Sequence, residues 1–373
     1  MIALALAIAA SACGPVELRG GDVVTAPIET ISVEGVRIGG AEPRVIAWDS
    51  VRRVTGDRAS AAAEFARISE DAWRARLRLA RGDHALAAPI FERLWVIYRE
   101  KSGPTALMIA EGTLACRLAS GRSADAIEPW LHAVALREQG VVIAGDPPLT
   151  PVVDSATMLV PALAPVWLDG AAARVEIDAA HLPRIGVAGE LATLFAVSAR
   201  IQAGDSSTGA LPSRDHPGVG LVRLIVESVA SDAARREAAR FAMEQRLSED
   251  AGSWREAWIR AALGRSFLME QAPRDRMVGV FHLMHLPARF AWSHPEPATM
   301  ALALASRELA AQGDAAGAVA IRGELERVFP GARAVDWLDA QADPVEPPTM
   351  QPLREIDVEP RAVLDTPIRE QGS

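Results

Sequence analysis

Residues 72–98 read AWRARLRLARGDHALAAPIFERLWVIY, and they decide the fold. Trp73, Leu77 and Ala80 fall on one helical face; after Gly82-Asp83, so do Ala87, Phe91, Leu94 and Tyr98. Spacings of three and four predict two amphipathic helices, and the Gly-Asp pair predicts a turn between them. Working outward, Gly82, Ala87 and Phe91 recur 39 residues later as Gly121, Ala126 and Trp130. Gly313 and Ala318 repeat the start of the pattern, with Pro330 closing it. Leu263-Gly264 followed by Phe267 has the look of a first helix of the same kind of unit. Small residues let two helices cross closely, and the aromatic fills the gap to the next pair.

This arrangement resembles the tetratricopeptide repeat, which places a Gly between its helices, then a small residue, then an aromatic. The resemblance implies a helical-repeat fold with a concave groove for a protein or peptide. The spacing of 39 departs from the usual ~34, and residues 140–220 break the register with Pro147, Pro148, Pro151, Pro161, Pro165 and Pro183. Such motifs speak for fold, not chemistry. The expected class is mainly α: an irregular α-solenoid of helix-turn-helix repeats over 58–338, with a Pro-rich insertion near 140–188. Further helices are expected over 189–202, 219–230 and 235–247, with Pro287 and Pro295 to Pro297 bracketing a link. The apolar run 156–168 holds two prolines and reads as buried irregular chain, not a membrane span.

Residues 16–55 read differently. Val, Ile and Thr are dense, and Gly20-Gly21, Glu34-Gly35 and Gly39-Gly40 punctuate them. That predicts four or five short antiparallel strands. The stretch resembles the small SH3-like or Sm-like β modules of exported bacterial proteins, whose last strand ends in a Trp-Asp pair, here Trp48-Asp49. Trp48 is expected to plug the module's core. So small a module is expected to pack on the helical region next to it in the chain.

Residues 2–12, IALALAIAASA, precede Cys13-Gly14. A short apolar run ending in small residues reads as an export signal. The stretch ASAC resembles a bacterial lipobox with Cys13 as lipid attachment site; cleavage after Ala12 by an ordinary signal peptidase is the alternative. The basic residues that normally open such a signal are missing after Met1, and a start upstream would supply them. The expected location is therefore exported: periplasmic, or anchored as a lipoprotein. A lipid on Cys13 would be the membrane attachment. Residues 340–373 carry six prolines, three arginines and seven acids, and read as an extended or disordered acidic tail.

Composition excludes several classes. Of 373 residues 50% are hydrophobic, enough for a large core, and a net charge of −9 with 5% aromatics argues against nucleic acid. Two cysteines make neither a disulfide framework nor a thiolate zinc site. Lys101 is the single lysine, and its setting fits no Schiff-base, P-loop or Ser-Lys chemistry. Cys116 lies on an apolar helical face, and residues 204–209 and 217–220 read as turns, not as a serine elbow or a phosphate loop. No motif asks for a cofactor. His282 and His285, at i and i+3, could share a metal with His294. The expected role is thus a non-enzymatic scaffold or assembly factor of the cell envelope; the alternative is a metal-dependent hydrolase using His282, His285 and His294.

Overall fold

The computed structural model describes residues 14–143, 150, 152–205 and 209–341. The expected signal, Cys13, Pro147, Pro148, Pro151, Ser206 to Thr208 and nearly all of the acidic tail lie outside the described residues.

Six short strands open the chain: β1 (Val16–Leu18), β2 (Val23–Val24), β3 (Ile28–Ser32), β4 (Gly35–Ile38), β5 (Arg44–Ile46) and β6 (Val51–Val54). They form two antiparallel three-stranded sheets, ordered β2-β1-β6 and β3-β4-β5. Trp48 is 1% exposed, donates its indole N–H to the Ser32 carbonyl at 2.9 Å and stacks on Phe65 at 4.9 Å. It is the core plug that the composition predicts. The Trp-Asp pair does not end the module, because β6 follows it. A register shift between Glu17 and Leu18 in the β1–β6 pairing puts Arg52 and Arg53 both outside, which hides the strand alternation.

The helices are α1 (Ala59–Ala63), α2 (Ala66–Ala80), α3 (His84–Tyr98), α4 (Gly103–Ala119), α5 (Ile127–Glu138), α6 (Gly170–Ala179) and α7 (Gly186–Gln202). After them come α8 (Pro217–Glu227), α9 (Ala233–Arg246), α10 (Trp254–Leu268), α11 (Pro273–Phe290), α12 (Pro295–Ala311), α13 (Ala315–Val328) and α14 (Arg333–Gln341). Successive helices pack on one another, so the fold is mainly α and solenoid-like after a β module. Contacts of α2 with α4, α10 with α12, and α12 with α14 mark the even-numbered helices there as the inner layer.

Gly82 and Gly121 show why the repeat motif carries a glycine. Their φ values are +78° and +68°, and the residues after them bond back to Arg78 and Arg117 carbonyls at 2.9 Å. This left-handed C-cap ends one helix and aims the chain into the next. Gly313 does the same at φ +86°. Ala87, Phe91, Ala126 and Trp130 are fully buried, and Ala318 is 8% exposed. Gly264 of α10 lies against Gly279 and Leu283 of α11, letting those helices cross closely.

Three expectations need correction. The buried face of α2 is Ser69, Ala72, Ala75 and Arg76, not Trp73, Leu77 and Ala80. Pro287 lies inside α11, so the link there is residues 291–294 alone. The insertion is interrupted by α6, and α7 begins at Gly186.

Residues 152–169 are the irregular part, and they run through the interior. Leu159, Val160 and Leu163 are at most 1% exposed. The Trp130 indole donates to the Met158 carbonyl at 2.9 Å and the Trp258 indole to the Pro161 carbonyl at 2.8 Å. Ser198 and Gln202 both donate to the Pro165 carbonyl, at 2.6 and 3.1 Å. Without helix or sheet of its own, this chain has its carbonyls satisfied by side chains of α5, α7 and α10. Gly218 opens α8 because a Cβ there would lie 1.9 Å from the Thr157 carbonyl oxygen.

Candidate functional site

A groove of about 910 Å³ opens where the α4–α5 turn, residues 162–169, the first turns of α6 and α12, and the α13–α14 turn meet. Its floor is apolar, with Leu163, Trp167, Met300 and Trp337. Its rim carries Asp125, Glu176, Glu296 and Arg333. Ser123 donates to Glu296 across 173 residues of sequence, joining an early turn to a late helix. Arg122 at the rim is spoken for by Glu92 at 2.6 Å.

Glu296 and Glu176 hold protons more tightly than carboxyls in water. Desolvation inside the concave wall raises Glu296 although its surface still meets solvent; the Ser123 bond and Arg333 pull the other way. Glu176 is raised by its hydrogen bond with Asp125 and by Asp125's charge. A carboxyl that keeps its proton can donate to the carbonyl of a bound chain. Sequence reasoning singles out none of these acids. Asp125, Glu176 and Glu296 lie on three distant segments, and each reads alone as a solvated acid.

The expected histidine cluster is divided. His285 Nε2 lies 3.1 Å from Glu256 Oε1, with Arg289 at 3.3 Å from the same oxygen. Glu256 is 2% exposed and also accepts the Gly252 N–H at 2.7 Å. Burial pushes that carboxyl up, but the Gly252 N–H, Arg289, His285 and Arg260 outweigh it and hold it below the usual range. His282 stacks on Phe267 with ring centroids 5.8 Å apart, and its Nδ1 lies 3.4 Å from Arg260. His294 precedes the first residue of α12 and lies beside Phe290, with no capping hydrogen bond from its side chain. Among the described residues no group of three or more His, Cys, Asp or Glu side chains is placed to hold a metal ion. Cys116 is 2% exposed, and burial and then Glu92 push its thiol up to about 11, against nucleophilic use.

His282 gives a pH dependence. Burial, then the charges of Arg260 and His285, depress it from 6.5 to about 4. Between those values the unfolded chain binds a proton that the folded chain refuses, so stability falls as the pH drops through this window. His282→Leu is expected to flatten that limb in urea titrations repeated across the window. An unchanged slope would mean that His282 charges freely in the folded state.

Of the repeat-packing residues, Ala87, Phe91, Ala126, Trp130 and Ala318 are buried on their helices, while Gly82, Gly121 and Gly313 form the turns and have no neighbour in packing contact. Among the described residues no helix is long and apolar enough to cross a membrane. Comparison of the chain with protein-family models, with curated proteins and with solved structures finds no match.

Proposed function

We propose that this chain is a non-enzymatic interaction scaffold of the bacterial cell envelope that binds a protein or peptide segment in the groove between the α4–α5 turn and α12. One observation carries the reading. The solenoid interior is filled by residues 152–169, while the groove of about 910 Å³ stays open with an apolar floor and, at its rim, Glu296 and Glu176, whose affinity for a proton is raised. An extended segment would set apolar side chains on Met300 and Trp337 and offer carbonyls to Glu296 and Glu176. The kinship with tetratricopeptide units belongs to the same reading, supported by the repeated Gly turns. Export is supported by the apolar run before Cys13, and a lipid there would hold the scaffold at a membrane.

Cross-linked capture of the tagged full chain from its own cell envelope tests it. Ala172→Arg and Thr299→Arg place bulk in the groove; Val319→Arg, on the exposed face of α13, is the control. One partner is expected with wild type and control, and roughly tenfold less with the groove variants. Equal recovery from all four would remove the groove from the interface, and no partner above background would sink the scaffold reading. The mass of the amino-terminal peptide from the same sample reports the lipid on Cys13.

A further inference from the structure

Two guanidiniums lie on the touching helices α10 and α12, near enough for the charge of one to bear on the other, and among the described residues neither is paired with an acid. Arg265 follows Trp258 by seven residues on α10, and Arg307 follows Met300 by seven on α12. At 3.6 residues per turn, each arginine shares the face of its predecessor, two turns further along. Trp258 faces residues 152–169 and Met300 the groove floor, so the arginines continue that inner surface toward the helix C-termini. The two helices touch, and the Arg307 charge bears on Arg265. Arg307 also covers the Trp337 ring at 5.0 Å.

Half-buried arginines nearby are matched. Arg236 and Arg240 share Glu270 at 3.3 and 2.7 Å, and Arg276 holds Glu308 at 2.6 Å. Arg265 and Arg307 have no carboxylate partner among the described residues; Glu308, beside Arg307 in sequence, is already taken by Arg276. Burial, then the charge of Arg307, lowers Arg265 to about 10. The C-terminal dipole of α10 favours one cation, Arg265, in its last turn; it does not account for a second from α12. A half-buried guanidinium with a second, exposed one bearing on it is unfavourable unless an anion joins them.

We infer that this pair binds carboxylates, and that the occupant is the chain's own acidic segment 343–359. Trp337, under Arg307, lies four residues before Gln341, where α14 ends. Asp343, Glu346, Glu355, Asp357 and Glu359 come after it. Five extended residues span about 17 Å, so a side chain near Trp337 is within reach of Glu346 and of the acids beyond it. Tethering supplies an effective concentration on the order of millimolar, enough for a contact that would be weak between separate molecules. The guanidinium forks match carboxylates in shape as well as charge.

Trypsin cleavage after Arg354, inside this segment, tests the inference on the full chain. Arg265→Gln with Arg307→Gln is expected to speed that cleavage roughly tenfold, about the loss of one charge-assisted hydrogen bond. Arg307→Gln alone, at an exposed position, is expected to fall between. Unchanged cleavage in both variants would overturn the inference. A labelled peptide of residues 342–359 gives a second arm. It is titrated onto wild type and onto a full chain in which the five acids from Asp343 to Glu359 are changed to Asn or Gln, which alters no described residue. Binding to the neutralised chain but not to wild type, and its loss on adding Arg265→Gln and Arg307→Gln, is the expected result. Equal binding to both chains would mean an open patch kept for a partner's acidic segment and would overturn the intramolecular occupant; binding to neither would overturn the site.

Discussion

Replacing Arg76 with Met is expected to destabilise the chain by about 3–5 kcal/mol, read as a lower midpoint in chemical denaturation. The cause is an asymmetry between making a buried pair and breaking one. Arg76 and Asp49 are 1% and 2% exposed, and the guanidinium donates to Asp49 Oδ2 at 2.5 Å. Take the arginine away and a carboxylate is left in the seam between the β module and α2, with Oδ1 already lacking a partner. Burial raises the Asp49 carboxyl even with Arg76 present, so without it the deficit should narrow as the pH falls and the acid takes a proton. Asp49→Asn in the Arg76→Met background should recover part of the loss, since an amide brings no charge to desolvate. Arg53 and Glu17 form a 2.6 Å pair in open solvent, and Arg53→Met should leave the midpoint in place. An unmoved midpoint in Arg76→Met would mean that Asp49 is carried neutral, with nothing for the arginine to balance.

That seam also explains what is and is not legible in the sequence. Helical periodicity places α2 and α3 within a few residues, because spacing alone sets which elements form. It chooses the wrong face of α2, because apolar size is a poor guide where three elements meet closely. There α2 needs Ala72 and Ala75 for close approach, and it places one arginine against Asp49. Arg74, Arg76, Arg78 and Arg81 look alike in sequence, and only the β module's position singles out Arg76. Trp73, the larger side chain, is left half-buried under the Arg19 guanidinium at 4.3 Å. Two more cross-links are equally hidden. Tyr98 donates to the Val33 carbonyl at 2.8 Å, and Thr105 accepts the Trp48 N–H at 3.0 Å while donating to the Glu34 carbonyl at 2.7 Å. Together they make the β module part of the helical array, as its small size requires.

The groove is less legible than the fold, for a different reason. A glycine at positive φ leaves a local mark, so Gly82, Gly121 and Gly313 can be read one at a time. Asp125, Glu176 and Glu296 acquire their character only when the array brings an early turn against a late helix. The same closure makes the Pro-rich run a packed interior segment, because Trp130, Trp258, Ser198 and Gln202 converge on its carbonyls. Those four donors are also spread over α5, α10 and α7, and nothing near any one of them in sequence announces a shared task.

Where the repeat motif is legible it also makes the second large prediction, a reversal of sign. Phe91 is fully buried, and its ring end lies where a Cβ on Gly112 of α4 would fall, 2.1 Å away. Phe91→Ala is expected to cost about 3–5 kcal/mol, the transfer of the ring plus the cavity it leaves. Gly112→Ala in the wild-type chain should cost about 1–3 kcal/mol, since the ring must shift within a packed core. Helix propensity by itself favours that same change by up to about 1 kcal/mol. With Phe91→Ala already present the clash is gone and the propensity remains, so Gly112→Ala should then stabilise. Urea unfolding of the four proteins measures the coupling directly. Equal effects of Gly112→Ala in both backgrounds would show that the ring has room to turn aside. The motif's aromatic would then be a hydrophobic filler, and Gly112 would be free to vary. A reversal would show that the aromatic and the glycine are one feature written on two helices, which is how a repeat of this kind fixes the distance between its neighbours.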